Sequence, residues 1–352
     1  MSMLTPLSWI DKRWGVLVVT MAEVAARAGV TKQTVSNVVS GKKVRPETAA
    51  KVNAAIEELG YKPNLLARSL RTGSTRTVGL FVPWVADVFY AEVVEEVENV
   101  LVGHGYNLLL ATTRDDPDYA RQHLENLTAR SVDALLVAGD LGVAQLLPLL
   151  AQASFPVALF AWELDPPHTL PVVSIDFENA GYLAGRHLRD LGHQNIAVIA
   201  KLPSHAPRVA GLRRAFAADG LTIDDRAVIS QPADTAVNGF SAASRALTAD
   251  PGLTAIFATS DALAIGAMEA VTRSGRRVPD DVSVVGLDDI AQVGSLDPAL
   301  TTVAIPKREM AQQAVELLLQ AVDSGKPPTN ALSLLRPTLL VRGSSARVRP
   351  AA

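Results

Sequence analysis

A run of polar side chains near the N-terminus has the types and spacing needed to read a base edge. Lys32, Gln33, Ser36 and Asn37 fall on one side of the stretch Lys32 to Val39, and Val35, Val38 and Val39 fall on the other. Glutamine and asparagine can pair with adenine through a donor and an acceptor at once, and lysine reaches guanine edges or phosphate oxygens. Polar residues at the start of a recognition helix are where a helix-turn-helix makes its base contacts. A small helical bundle with solvated polar faces would carry the same pattern, so the surrounding elements decide.

Other chemistry is poorly supplied. There is no cysteine, which excludes disulfides, thiolate metal sites and cysteine nucleophiles. No glycine-rich phosphate loop, Gly-x-Ser-x-Gly, His-Glu-x-x-His or calcium-loop pattern occurs. His104, His123, His168, His187, His193 and His205 are scattered with no metal-cluster spacing, and most read as helix-surface or cap residues. The expectation is a protein with no catalytic residue, metal or cofactor.

The elements around Lys32 to Val39 favour the helix-turn-helix. Thr20 followed by Glu23 is a capping box for a helix through Ala28, and Gly29 ends it. Thr31 caps the second helix and Gly41 closes it. Pro46 opens a third helix, with Ala50, Val52, Ala54, Ala55, Ile56 and Leu59 inward, and Gly60 stops it. Asn64 can cap a fourth, Leu65 to Leu70. That segment is too short to be stable alone, and its leucines lie beside Arg68, Arg71 and Arg76. Apolar wedges flanked by arginine open the DNA minor groove; a plain interdomain linker is the alternative.

Charge is divided along the chain. Residues 1–76 hold 12 Lys/Arg against 5 Asp/Glu, and residues 77–352 hold 21 against 31, a basic head on an acidic body. After Arg76 the pattern becomes short apolar strands alternating with amphipathic helices, from Val78–Val82 through Met310–Val322, with one helix expected over Val143 to Leu150. Two successive sets of such units predict two lobes with parallel sheets, and a ligand cleft beyond the strands' carboxyl ends. A solute-binding protein of a transport system shares that architecture. The basic head and the lack of a secretion-signal pattern argue against it, and a cytoplasmic location is expected. No stretch reaches the roughly 18 apolar residues of a membrane span.

Residues 20–76 resemble the N-terminal region of the LacI/GalR family of bacterial transcription regulators. The motifs are Thr20-Met21-Ala22-Glu23-Val24-Ala25, Ala28-Gly29-Val30-Thr31, Gln33-Thr34-Val35-Ser36 and Glu58-Leu59-Gly60-Tyr61-Lys62-Pro63-Asn64, then Ala67 and Leu70. The body carries Leu191-Gly192-His193-Gln194-Asn195-Ile196-Ala197, Arg208-Val209-Ala210-Gly211, Ala258-Thr259-Ser260-Asp261, Val285-Gly286-Leu287-Asp288-Asp289 and Pro298-Ala299-Leu300-Thr301-Thr302-Val303. The resemblance implies an all-α helix-turn-helix head and an α/β, periplasmic-binding-protein-like, two-lobed body. In that frame residues 1–18 are an extension, 19–63 the DNA-binding domain and 64–76 a hinge. The body is 77–343, with a first lobe of 77–176 plus 304–331 and a second of 177–303 plus 332–343, and 344–352 is a tail.

By the same resemblance Lys32, Gln33 and Asn37 are base-reading positions. Thr20, Thr31, Thr34 and Ser36 contact phosphates or cap helices, Asn64 opens the hinge helix, Ala67 lies against minor-groove bases and Leu70 is the wedge. Asn37 departs from the frequent arginine, so the family does not supply the operator. Arg208 and Asp288 are implied effector contacts, and Ser260 stands where sugar-responsive relatives use asparagine. Asp accepts two hydroxyls and Arg offers a fork, which suits adjacent hydroxyls. Trp84, Phe89 and Trp162 offer stacking surfaces for a sugar ring or base, core packing being the alternative. The expected partners are double-stranded operator DNA, a carbohydrate-like effector and a second copy of the chain. The expected action is repression; a nucleobase or nucleoside effector is the other possibility.

Overall fold

The computed structural model describes residues 19–62, 73–127, 131–139, 141–165, 169–328 and 331–348. The chain divides into two compact units, one ending at Thr75 and the other beginning at Arg76. The extension at 1–18 and the hinge segment with Asn64, Ala67 and Leu70 lie outside the described residues.

In the first unit, α1 (Met21–Ala28), α2 (Lys32–Val39) and α3 (Pro46–Leu59) close around Val24, Ala25, Val35, Val52, Ala55 and Tyr61. The capping box at Thr20 is formed in both directions: the Thr20 hydroxyl accepts from Glu23 N–H, and Glu23 Oε2 accepts from Thr20 N–H at 2.6 Å. Thr31 accepts from Thr34 N–H at 3.2 Å to open α2. Gly29 and Gly60 end α1 and α3 at φ 66° and 62°, a conformation costly for other residues.

The second unit holds two sheets. The first lobe is built from β1 (Thr77–Val82), α4 (Val88–Gly103), β2 (Asn107–Thr112), α5 (Pro117–Leu127), β3 (Ala134–Ala138), α6 (Leu141–Ala144), α7 (Leu147–Leu150), β4 (Val157–Phe160) and β5 (Val172–Ile175). The second follows with α8 (Phe177–Asp190), β6 (Ile196–Ala200), α9 (Ala206–Ala217), β7 (Val228–Ser230), α10 (Ala236–Ala249), β8 (Ala255–Ala258), α11 (Asp261–Arg273), β9 (Ser283–Asp288) and β10 (Thr301–Ala304). Then α12 (Lys307–Ser324) returns to pack on α4, β3, β4 and β5, and β11 (Leu332–Leu335) and β12 (Thr338–Leu340) finish the two sheets. The strand orders are β11-β5-β4-β3-β1-β2 and β12-β10-β9-β8-β6-β7. All pairs are parallel except β10 with β12. Central strands such as β3, β4 and β8 are buried throughout, as helices on both faces require.

Three expectations change. The stretch 143–150 is two short helices, with Pro148 in the first turn of α7. Strand β11 pairs with β5, so residues 332–335 belong to the first lobe and the last crossing lies at 336–337. The pairing partner is some 160 positions upstream, which no local pattern reveals. Residues 344–348 are no free tail: Ser344 is fully buried, its Oγ donates to the Val284 carbonyl at 2.6 Å, and Val348 N–H bonds the Leu191 carbonyl.

Close helix contacts in the second lobe rest on glycine. A Cβ at Gly181 would strike the Arg208 carbonyl oxygen, and one at Gly211 would strike that of Glu178. Helices α8 and α9 therefore approach backbone to backbone, which fixes where the first turn of α9 presents Arg208.

Candidate functional site

On the head, Lys32 and Gln33 are exposed and Thr34 and Asn37 half-buried. Gln33 Nε2 donates to Asn37 Oδ1 at 3.1 Å, so the two amides brace each other one turn apart. Gln33 keeps its carbonyl oxygen and a second N–H for a base edge. Ser36 is a correction. Its outward position was expected, yet it is buried, because both α1 and α3 pack on α2 and the buried stripe widens past Val35.

In the body, a cavity of about 520 Å³ lies where the carboxyl ends of the two sheets face each other. The end of β1 supplies Trp84, Asp87 and Phe89, and the ends of β2 and β4 supply Asp115 and Glu163. The opposite wall comes from Lys201, His205 and Arg208 after β6, Asp234 before α10, Ser260 after β8 and Asp288 at the end of β9.

Arg208 is the centre of this wall. Its Nη1 donates to the Thr259 carbonyl at 2.5 Å and reaches Asp288 Oδ1 at 3.4 Å. Nε donates to Glu163 Oε2 at 2.9 Å and Nη2 to Glu163 Oε1, a fork across the cleft. The guanidinium lies 4.6 Å from the centre of the Phe177 ring. Burial works against its charge, but Glu163 and Asp288 hold its pKa above the ordinary arginine value. A second bridge crosses the cleft where Lys201 Nζ meets Asp115 Oδ2 at 3.0 Å.

Asp288 sits on a turn that needs support. Asp288 and Asp289 have φ of 121° and 51°, unfavourable for residues with a Cβ. Lys307 Nζ donates to both their carbonyls, at 2.7 and 2.9 Å. Asp261, fully buried, accepts from Ile290 N–H at 3.0 Å and from the Thr302 hydroxyl at 2.6 Å. Burial, then the charge of Asp289, raise the Asp261 pKa to about 6. A Cβ at Gly286 would collide with the Asp261 carboxylate, which accounts for glycine in Val285-Gly286-Leu287-Asp288-Asp289. Burial pushes Asp288 itself well above the ordinary carboxylate range.

His205 is fully enclosed, with Nδ1 2.8 Å from Thr259 Oγ1 and Nε2 3.5 Å from Asp234 Oδ2. Burial, with Arg208 and Lys201 nearby, holds its pKa well below 6.5, so it is neutral. Asp87 caps α4 by accepting from Phe89 N–H at 2.9 Å. Burial, then the charge of Asp234, raise its pKa to about 6. Ser260 caps α11 and donates to Asp234 Oδ1 at 3.1 Å.

The cavity thus gathers Trp84, Phe89, Arg208, Ser260 and Asp288 of the residues expected there. Trp162 is a correction: it is buried in the core under the first sheet with Phe81 and Leu159, away from the cavity. The chain turns at Ala161 (φ 49°), and it is the neighbouring Glu163 that enters the cleft. Sequence reading missed Glu163, Asp87, Asp115, Lys201, His205 and Asp234. Lys201, Glu163 and His205 carried a signal, as charged or polar residues just beyond a buried strand. Among the described residues no group of three or more His, Cys, Asp or Glu could hold a metal, and no helix is long and apolar enough to cross a membrane.

A helix-turn-helix head with an outward amide pair, joined to two facing α/β lobes around a polar cavity, defines a DNA-binding regulator with a ligand-sensing body. The comparisons agree. Residues 20–64 match the model described as bacterial regulatory proteins, lacI family, and residues 185–345 match the periplasmic binding protein-like domain. The chain is 33% identical over 336 residues to the HTH-type transcriptional repressor PurR of Haemophilus influenzae (strain PittEE), covering 92% of this chain and 98% of that protein. It is 32% identical over 305 residues to catabolite control protein A of Priestia megaterium, covering 85% and 91%. Among solved structures, the lac repressor dimer bound to operator and the anti-inducer ONPF aligns with a TM-score of 0.83 at 28% identity, covering 94% and 99%. The CelR–cellobiose complex aligns at 0.70 and 32%, covering 93% and 99%. The chain belongs to the LacI family of transcription regulators.

Proposed function

We propose that the chain is a repressor that binds a near-palindromic operator as a homodimer and releases or tightens its grip when a sugar-like effector enters the inter-lobe cavity. The observation that carries this is the polar anchor pair, Arg208 and Asp288, lining one inter-lobe cavity with the aromatic side chains of Trp84 and Phe89. Similar structures support it: one holds cellobiose, one from Enterococcus faecium holds ribose, and the lac repressor is a dimer on its operator. Pairing two heads on one two-fold axis gives each recognition helix its own half-site. Leu70, in the hinge segment, is the proposed wedge at the operator centre. Coupling follows if the effector favours one lobe geometry and that geometry sets the spacing of the heads.

The test has two parts. Selection of a preferred duplex from a random pool by the full chain establishes operator recognition, and a screen of sugars, polyols, nucleobases and nucleosides by thermal shift finds the effector. Arg208→Ala should bind the selected duplex as the parent does and lose the effector response. A chain that selects no duplex sinks the repressor reading. A nucleobase or nucleoside effector is the second reading, favoured by Trp84 and Phe89, and the same screen decides between them.

A further inference from the structure

Ionic pairing in the cavity is incomplete, and what is left over is negative. Asp115 pairs with Lys201, while Glu163 and Asp288 share Arg208. Arg114, exposed at the rim, lies 4.8 Å from the ring centre of Tyr119. Asp87 and Asp234 remain, and among the described residues neither forms an ion pair with a lysine or arginine. His205, beside Asp234, is neutral and supplies no positive charge.

These two carboxylates belong to opposite lobes. Asp87 opens α4 in the first, and Asp234 precedes α10 in the second. Burial and then the charge of Asp234 push Asp87 upward, and burial raises Asp234, with the charges of Arg208 and Lys201 offsetting both in part. Both line one cavity from facing lobes, so two like charges share a space that a bound cation would make more favourable.

We infer that the effector carries a protonated amine seated between Asp87 and Asp234, which makes it an amino sugar or a similar aminated polyol. The inference rests on the reading of this cavity as the effector site. An ammonium offers three donors, enough to serve both carboxylates at once. The ring would lie against Phe89 and Trp84, whose faces also favour a nearby cation. An anionic ligand would find the Arg208 fork already taken by Glu163. Binding then depends on the ligand's charge, because the amine relieves the repulsion between the two carboxylates.

Isothermal titration of the full chain with matched sets tests this: D-glucosamine, D-glucose and N-acetyl-D-glucosamine, and the corresponding galactose series. The amine should bind roughly tenfold or more tightly than both of its uncharged partners, about 1.4 kcal/mol. Asp87→Asn and Asp234→Asn, shapes that keep the Phe89 cap and the Ser260 contact, should reduce the amine to the level of the neutral sugar. A neutral or N-acetylated sugar that binds the unmodified chain as tightly as its amine overturns the inference and leaves the sugar-cavity reading standing. Failure of every sugar in the sets to bind overturns both.

Discussion

The carboxylate of Glu163, from the first lobe, holds the guanidinium of Arg208, from the second, in a two-pronged bridge with Nε to Oε2 at 2.9 Å. The arginine best placed to grip an effector is thus engaged by the protein's own side chain. Any ligand group that takes Arg208 must displace Glu163 or bind beside it.

Glu163→Gln should therefore loosen the ligand-free cleft. Removing one partner of a buried ion pair costs about 3–5 kcal/mol in a rigid interior. Here the lobes can part and let water reach Arg208, so the loss should be smaller. Hydrogen exchange of the amides between Lys201 and Arg208 should speed up. Unchanged exchange would show that the bridge does not hold the lobes.

Gly211→Ala should destabilise the body by about 1–3 kcal/mol or more, the usual range for overpacking. The added Cβ meets the Glu178 carbonyl, so α8 and α9 must separate and Arg208 must move with them. Calorimetry should show a lower melting temperature for the body, accompanied by weaker effector binding. Retention of both in the variant would contradict the backbone-to-backbone packing.

Asp261 gives the second unit a pH signature. Its folded pKa of about 6 lies above the ordinary 3.8, so between those values the folded chain keeps a proton that the unfolded chain releases. Stability is then greatest at the acid end of the window and falls as pH rises from about 4 to 6, by up to roughly 3 kcal/mol from this group. Asp87, raised to about 6 but partly open to solvent, adds a smaller term of the same sign. In Asp261→Asn the amide oxygen can still accept from Ile290 N–H and its NH₂ can turn to Thr302. Urea titrations of that variant between pH 4 and 7 should give a flatter profile than the parent. An identical profile would remove Asp261 as the source.

On the head, Gln33→Ala should cost about 1–3 kcal/mol at one base pair of each half-site and relax selection there. It also frees Asn37 from its brace. Lys32→Ala should separate base reading from phosphate contact: a uniform loss across sequences, with a salt slope reduced by about 1, marks a phosphate partner. Anisotropy titrations against single-base-pair variants at several salt concentrations read both effects.

The parts of this structure that were legible in the sequence are those governed by neighbours in the chain. Thr20 with Glu23, Thr31 before α2, and glycines at 29 and 60 mark helix ends within a few residues, and the structure places them so. Buried central strands such as β1 and β8 announced themselves as unbroken apolar runs. What stayed hidden depends on distant partners. The edge strands β7, β11 and β12 are three or four residues long, and only their pairing defines them. Glu163 was overlooked beside a conspicuous Trp162, because which of the two faces the cleft is set by the turn at Ala161. Ser36 looked like an outward polar residue, and only three-helix packing buries it.

The path of the last segment bears on how the protein is made. Residues 332–348 supply an edge strand to the first sheet, an antiparallel edge strand to the second and the buried Ser344 beneath it. Domains tend to complete themselves in order as they leave the ribosome. Neither lobe here can do so, because each waits for a strand encoded near the end of the described chain. The head needs nothing beyond Tyr61 for its core, so the unit that reads DNA is finished well before the lobes that govern it.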